Sequence, residues 1–310
     1  MNRKIIAIAG PTAVGKTKFA LEVAKAFDGE IVSCDSMQLY KYMDIGSAKP
    51  SPEELRAVRH HLVDVIDPRE PFSVAEYQKR AKDAIADIFA RGRTPVVSGG
   101  TGLYLNALLY DMDFTADPGD PEYRDKLRRL ADTEGPEAVH VLLKKQDPAA
   151  AAIIHPNNVK RTIRALERLH DGEGQVRPFS GSFKETKDYD VLLAGLSRDR
   201  AELYDRIDRR VDMLIKAGLV DEVRRLMDMG LTESDISMKG IGYKEIIAYL
   251  EGQCDLDQAV SEMKKNTRHY AKRQLTWYRR YDKIYWLDIS AYRNDEEAIE
   301  ELISWLAQRM

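Results

Sequence analysis

One octapeptide constrains this chain more than any other feature of its 310 residues. Gly10-Pro11-Thr12-Ala13-Val14-Gly15-Lys16-Thr17 fits the pattern G-x-x-x-x-G-K-[ST]. The apolar run Ile5-Ile6-Ala7-Ile8-Ala9 precedes it and reads as a buried parallel strand. A helix is expected from Lys16, because Phe19, Ala20, Val23, Ala24 and Phe27 recur at helical spacing. Between a strand and a helix, the loop's N–H groups and the helix N-terminus form a cradle for phosphate oxygens. Lys16 then neutralises the terminal phosphate, and the Thr17 hydroxyl is available to Mg²⁺. The cradle reads phosphates and not what they carry. ATP, GTP or a diphosphate leaving group bonded to carbon would all fit it.

The pattern beyond the loop extends this beginning into a parallel sheet. Glu30 to Cys34 and Leu62 to Ile66 read as strands, and Pro95-Val96-Val97 as another. Ser73 to Arg91 reads as a helix burying Ala75, Ala81, Ile85, Ile88 and Phe89, and a further helix starts at Leu103. From Asp113 the alternation stops. After the breaker cluster Asp117-Pro118-Gly119-Asp120-Pro121 only helical segments are evident, closed by Asp171-Gly172-Glu173-Gly174. Val191 to Leu196 returns to strand character, and Ile284 to Leu287 precedes a terminal helix. The expected fold is α/β, a parallel-sheet core of the P-loop NTPase kind with a helical insertion. The core would comprise 1–113 and 191–310, and the insertion 114–190.

In such a sheet, functional groups collect beyond the carboxyl ends of the strands. Asp35, after the second strand, is either a base toward an incoming nucleophile or a turn-capping aspartate. Ser98-Gly99-Gly100-Thr101-Gly102 either brings backbone and the Thr101 hydroxyl to a ligand or makes a plain tight turn. Arg206 and Arg210 share a helical face, so Arg210 is a candidate partner for a departing diphosphate, unless it is simply solvated or paired with Asp205 or Asp208.

The formal net charge is −3, which argues weakly against a nucleic-acid partner, since binding depends on local patches. Two basic stretches supply such patches. Lys160, Arg164 and Arg168 line one helical face with Arg161 beside it, behind an Asn cap in Asn157-Asn158. Lys264, Lys265, Arg268, Lys272, Arg273, Arg279 and Arg280 are interleaved with Tyr270, Trp277 and Tyr278, a combination suited to phosphate contact and base stacking. Each could equally be a solvated face. Cys34 and Cys254 lie far apart with no Cys/His cluster, which implies neither a zinc site nor a disulfide framework. The apolar run at the N-terminus is too short for a signal peptide or a membrane span. A cytoplasmic, monomeric protein with no membrane association is expected.

Six blocks in order carry a resemblance. They are GPTAVGKT at Gly10 to Thr17, DSMQLYKYMDIGSAKP at Asp35 to Pro50, GGTGLYLNALL at Gly99 to Leu109, HPNNVKRTIRALE at His155 to Glu167, GIGYKE at Gly240 to Glu245 and KRQLTWYRR at Lys272 to Arg280. Together they resemble the tRNA dimethylallyltransferase (tRNA isopentenyltransferase) family over nearly the whole chain. The long zinc-finger tail of some eukaryotic members has no counterpart, which points to the bacterial type. Val14 stands where a small polar residue is common in the family loop, a change that its backbone role tolerates.

The resemblance implies Mg²⁺-dependent transfer of dimethylallyl from its diphosphate to N6 of the adenosine 3′-adjacent to the anticodon, with release of diphosphate. It implies Asp35 as general base and Ser36, Met37 and Gln38 as contacts to the flipped nucleotide, with Thr101 near the transferred group. Gly10 to Thr17 would bind diphosphate, with Lys16, Thr17 and Arg210 holding diphosphate and metal. Arg124, Lys160, Arg161, Arg164, Lys239, Gly242, Tyr243, Lys244, Lys272, Arg273, Gln274, Trp277 and Arg279 would contact the tRNA anticodon stem-loop. A metabolite kinase, a non-catalytic RNA-binding switch and an enzyme prenylating free adenylate share parts of this pattern. The basic stretches are superfluous for the first and last of these, and the switch would leave Asp35 and Thr101 idle.

Overall fold

The computed structural model describes residues 3–112, 120–172 and 184–310. Phe114, Asp117 to Gly119 and Glu173-Gly174, used above to bound the insertion, lie outside them. Two compact units are present, one formed by Met1–Tyr110 with Thr186–Met310 and one by Asp111–Glu185. The sequence suggested an insertion of 114–190. The chain rejoins the first unit at Thr186, whose N–H donates to the Leu109 carbonyl at 3.0 Å.

The first unit begins β1 (Lys4–Ala9), α1 (Lys16–Ala26), β2 (Gly29–Ser33), α2 (Pro52–Ala57), β3 (His60–His61), α3 (Val74–Ala90), β4 (Thr94–Ser98) and α4 (Gly102–Leu109). The second unit holds α5 (Pro121–Glu134), α6 (Pro136–Gln146), α7 (Pro148–Ile153) and α8 (Val159–His170). The first resumes with β5 (Asp190–Ser197), α9 (Arg200–Lys216), α10 (Leu219–Asp228), α11 (Tyr243–Leu250), α12 (Leu256–Tyr278), β6 (Tyr285–Asp288) and α13 (Asp295–Ala307). The six strands are ordered β3-β2-β4-β1-β5-β6, and every pairing is parallel. All carboxyl ends therefore open on one edge.

Alternation along β1 builds two cores. Ile5, Ala7 and Ala9 join a core with side chains of α3, α4, α10, α11 and α12. Ile6 and Ile8 join Phe19 and Val23 of α1, Leu203 and Ile207 of α9 and Leu302 of α13. Both faces are covered, in keeping with a strand that is apolar from Ile5 to Ala9. Capping boxes set the starts of α3 (Ser73 with Glu76) and α12 (Asp255 with Gln258).

Two local expectations fail. Leu62 to Ile66 is not a strand: Leu62 (φ 61°) and Asp64 (φ 57°) adopt left-handed conformations that break the extended path. Pairing is left to His60–His61, with one bridge from Ile66 to Tyr40. In α3 the buried side chains are Tyr77, Ala81, Ile85 and Ile88, whereas Ala75 and Phe89 are only half-buried. The inward stripe is phased on Tyr77, whose ring stacks on Tyr104 at 3.9 Å.

The second unit is a small helical cluster with its own core of Leu127, Val139, Leu143, Ile163 and Leu166. Within it Arg124 pairs with the buried Glu167 carboxylate, which Arg164 also approaches at 3.5 Å.

Candidate active site

Four loops at the carboxyl edge of the sheet converge. The chain leaving β1 makes the octapeptide loop, with Ala13 (φ 64°) and Gly15 (φ 116°) in left-handed backbone before α1. Val14 is buried in the α1-side core, so its side chain anchors the loop and faces no ligand. Lys16 Nζ donates to the carbonyls of Gly10 (2.9 Å) and Pro11 (2.8 Å). From the loop after β5 and from α9, two arginines hold the outer carbonyls: Arg198 Nε donates to Val14 O and Arg206 Nε to Ala13 O, each at 2.9 Å. Arg198 is further fixed by Glu202 and Asp295, and so serves the scaffold.

These loops surround a cavity of about 670 Å³, in the range of small-molecule sites. Its walls include Thr12, Ala13, Gly15, Lys16, Thr17, Asp35, Gln38, Gly99, Gly100, Arg206, Arg210, Tyr270 and Gln274. Asp35 makes the turn contact that the sequence allowed and also reaches the cavity. Its Oδ1 accepts from the Met37 N–H at 2.9 Å in a turn, and the side chain still lines the cavity. Burial, with Arg210 as a neighbouring cation, pushes the Lys16 ammonium down to about 8, although Asp35 draws it partly back. Arg210 is lowered by the same burial and by Arg206, against the pull of Asp35. Lys16, Lys18, Arg206, Arg209 and Arg210 thus share the cavity lining with the carboxylates of Asp35 and Glu54, an excess of positive charge that an anionic ligand would balance.

Other sequence candidates lie elsewhere. Thr101 is outside the cavity walls: its hydroxyl accepts from the Ser36 N–H (3.0 Å) and donates to Ser36 Oγ (3.2 Å), tying the loop after β4 to the loop after β2. The tight turn there has a packing cause, since a Cβ on Gly99 would stand 2.1 Å from the Cys34 carbonyl oxygen. Gln274, expected at a tRNA-facing surface, is buried. Its Oε1 accepts from the Thr12 N–H and its Nε2 donates to the Gly100 carbonyl, both at 2.8 Å, so it clamps two cavity loops together. Tyr243 is fully buried and donates its hydroxyl to Glu222 at 2.9 Å, and Gly242 is buried at the start of α11. Tyr278 is likewise buried and offers no stacking face. Trp277 is half-buried, its Nε1 3.2 Å from the Tyr281 hydroxyl.

The basic stretch on α12 divides by neighbour. Lys264 pairs with Asp212 (2.7 Å) and Arg268 with Asp208 (2.6 Å), both acids on α9. Lys272, Arg273 and Arg279 are exposed, as are Lys239 and Lys244. In the second unit Lys160 and Arg161 are exposed on α8 and Arg164 is half-buried. Tyr270 is a cavity residue that the sequence suggested only as a stacking surface. Its spacing of four from Gln274 on one face of α12 was the available signal.

Among the described residues no group of three or more His, Cys, Asp or Glu side chains is placed to hold a metal ion. No described helix is long and apolar enough to cross a membrane.

A strand, a glycine-rich loop and a helix at the carboxyl edge of a parallel sheet, with cations and carboxylates in one cavity, define an α/β protein of the P-loop kind whose cavity suits a phosphorylated ligand. Comparison with known proteins narrows the class. The family model described as IPP transferase matches residues 38–281. A tRNA dimethylallyltransferase of Alkaliphilus oremlandii is 49% identical over 97% of this chain and 96% of its own length. One from Geobacillus thermodenitrificans is 46% identical over 100% and 98%. Among solved structures, the tRNA isopentenylpyrophosphate transferase of Bacillus halodurans superposes with a TM-score of 0.74 at 43% identity, covering 99% of this chain and 96% of that one. A eukaryotic dimethylallyltransferase acting on tRNA reaches a TM-score of 0.79 at 30% identity, over 92% of this chain and 74% of its own. This chain belongs to the tRNA dimethylallyltransferase family.

Proposed function

We propose that the chain is a tRNA dimethylallyltransferase that moves the dimethylallyl group from dimethylallyl diphosphate to N6 of the adenosine 3′-adjacent to the anticodon, releasing diphosphate. Transfer of a dimethylallyl group to tRNA is the activity in its relatives' names. The observation that carries the finer reading is the shared cavity: phosphate-binding cations and Asp35 open into one space.

The chemistry follows from the two reactants. An exocyclic adenine amine is a poor nucleophile, because its lone pair is delocalised into the ring. The allylic carbon compensates, since departure of diphosphate builds positive charge that the double bond stabilises. The amine nitrogen forms the new C–N bond as the C–O bond to diphosphate breaks. Lys16, Arg206 and Arg210 receive the charge on the leaving group, and Asp35 accepts the proton released from nitrogen. The adenine must leave its stack to reach the cavity. Gln38 and Tyr270 then stand on the walls that receive it.

Mg²⁺ suits the donor set. The protein offers the Thr17 hydroxyl at the first turn of α1, which would hold a hard, oxygen-preferring cation beside the phosphate loop. When bound there it would neutralise diphosphate charge. The exposed Lys272 and Arg273 on α12, Arg279 at its C-cap, and Lys239 and Lys244 support a grip on the anticodon stem-loop. Lys160, Arg161 and Arg164 on α8, with Arg124, belong to the same reading. Action as a monomer in the cytoplasm belongs to the same proposal.

The test supplies the purified protein with Mg²⁺, labelled dimethylallyl diphosphate and unmodified tRNA, with AMP in place of tRNA in parallel. Label in tRNA, lost on digestion and mapped to the adenosine beside the anticodon, is the expected result. Label in AMP alone would reassign the acceptor, and phosphate release from ATP without prenyl transfer would make the cavity a nucleotide site. Asp35→Ala should lower transfer by about 10²–10⁴, the range of a positioned general base, while tRNA binding persists.

A further inference from the structure

The loop between Asp35 and α2 is held from outside the cavity by a buried carboxylate. Three consecutive amides converge on Glu222 of α10: Asp44 N–H (2.8 Å) and Ile45 N–H (2.7 Å) donate to Oε2, and Gly46 N–H (2.9 Å) donates to Oε1. The Tyr243 hydroxyl donates a fourth hydrogen bond to Oε1 at 2.9 Å. Glu222 is 1% exposed and Tyr243 is 0% exposed. The loop needs such a holder. Tyr42 (φ 66°) and Ala48 (φ 46°) are non-glycine residues in left-handed backbone on either side of the three amides. Tyr243 also fixes the approach, since a Cβ on Gly46 would lie 2.5 Å from its ring.

The clasped amides lead directly into the cavity wall. Ser47, Ala48 and Pro50 line it, and the Ala48 carbonyl accepts from Gln38 Nε2 at 3.3 Å. Gln38 Oε1 in turn accepts from Ser33 Oγ at 2.9 Å, two residues before Asp35. Hydrogen bonds to Glu222 and the short chain segment 46–48 thus link it to the cavity residue Gln38 and on to Ser33. Burying a carboxylate costs stability that an apolar pair would not, so its four satisfied bonds serve geometry.

We propose that Glu222, braced by Tyr243, is a positioning residue that sets the acceptor side of the cavity through the 44–50 loop and Gln38. The inference rests on the reading of this cavity as a dimethylallyl-transfer site. It separates the two substrates, since the phosphate cradle on the other wall is held by Gln274, Arg198 and Arg206.

The test compares the full-length enzyme with Glu222→Gln and Tyr243→Phe. An amide at 222 turns a donor toward amides that need an acceptor. Hydrogen exchange of the peptide covering 43–50, affinity for dimethylallyl diphosphate without tRNA, and steady-state kinetics with tRNA are measured. In Glu222→Gln the amides should lose protection and kcat/KM for tRNA should fall by at least about tenfold, with diphosphate affinity held within about twofold; Tyr243→Phe should give a smaller, roughly threefold loss. Unchanged tRNA kinetics in a folded Glu222→Gln would overturn the proposal. So would parallel loss of diphosphate binding and tRNA kinetics, the mark of a merely structural residue. Should Glu222→Gln fail to fold, Tyr243→Phe decides, because it leaves the carboxylate its three amides: unchanged tRNA kinetics there refutes the role. If the wild-type enzyme prenylates no tRNA, the functional reading fails, and the exchange data alone still decide whether Glu222 holds the loop.

Discussion

Binding of dimethylallyl diphosphate, without tRNA, should weaken as pH rises through about 8. Lys16 sits in the cradle with its ammonium pushed down to about 8 by burial, with Arg210 adding to the effect and Asp35 opposing it. A diphosphate beside it supplies the missing counter-charge and returns the group toward its ordinary value near 10.5. The sign follows by linkage. Below pH 8 Lys16 is already protonated and affinity is flat. Above it the free enzyme loses a proton that the complex retains, so binding takes up a proton and affinity falls about tenfold per pH unit, or roughly 20-fold between pH 7.5 and 9.5. The full difference of about 2.5 units corresponds to about 3 kcal/mol. Isothermal titration calorimetry in two buffers of different ionisation enthalpy measures both affinity and proton uptake, over a range where the ligand's phosphates are fully ionised. Lys16→Arg is the control, because a guanidinium keeps its charge and the slope should vanish. A pH-independent affinity with no proton uptake in the wild type would refute the account of Lys16 as a desolvated, charge-crowded group.

Arg210→Gln removes a cation that lowers Lys16, so the break in that pH profile should move upward while affinity at pH 7 falls; a titration series on the variant reads both. On α12 and at its C-cap, replacing Lys272, Arg273 or Arg279 singly by Gln should reduce the salt dependence of tRNA binding by about one unit of log–log slope per cation. Arg268→Gln, already paired with Asp208, should leave that slope nearly unchanged in the same filter-binding experiment. Gly99→Ala places a methyl 2.1 Å from the Cys34 carbonyl oxygen, and should destabilise the fold by about 1–3 kcal/mol in denaturant unfolding. Lys16→Met should abolish diphosphate binding yet leave the ligand-free protein as stable as the wild type or more so at pH 7, since a charge disfavoured by burial is gone.

What was legible in the sequence follows from the range of the interactions involved. The strand, loop and helix from Ile5 to Phe27 are specified by neighbours in the chain, and all three form where the pattern puts them. The start of α3 is equally local, a Ser73–Glu76 capping box. The third strand was not legible, because two residues of edge pairing carry no periodicity and the breaks at Leu62 and Asp64 are non-glycine positions. Burial of Tyr243 and Gln274 was hidden for a different reason. Each is polar and lies in a block with basic neighbours, and only partners distant in sequence (Glu222 for one, Thr12 and Gly100 for the other) reveal that it faces inward. Glu222 itself reads as one acid among several on an amphipathic helix. Its three amide donors lie more than 170 residues earlier.

The same distinction resolves the chain's net charge of −3, which by itself disfavours a nucleic-acid partner. Charge counts for binding only where it is left for a ligand. Along α12, Lys264 and Arg268 lie against Asp212 and Asp208 of α9, so their charge is spent in holding two helices together. About one turn further on, Lys272 and Arg273 are exposed, and Arg279 is exposed at the C-cap about three turns on, beside a helix face whose inner side chains, Tyr270 and Gln274, line the cavity. A single helix thus presents exposed cations outward and cavity walls inward. On the proposed reading, an RNA held on the outer face would lie beside the cavity that Asp35 and the phosphate cradle line. Neutralising the exposed cations should therefore raise KM for tRNA without altering dimethylallyl diphosphate affinity, whereas Gln274→Leu should disturb both. Loss of diphosphate affinity in the exposed-cation variants would show that the two faces of α12 are not independent.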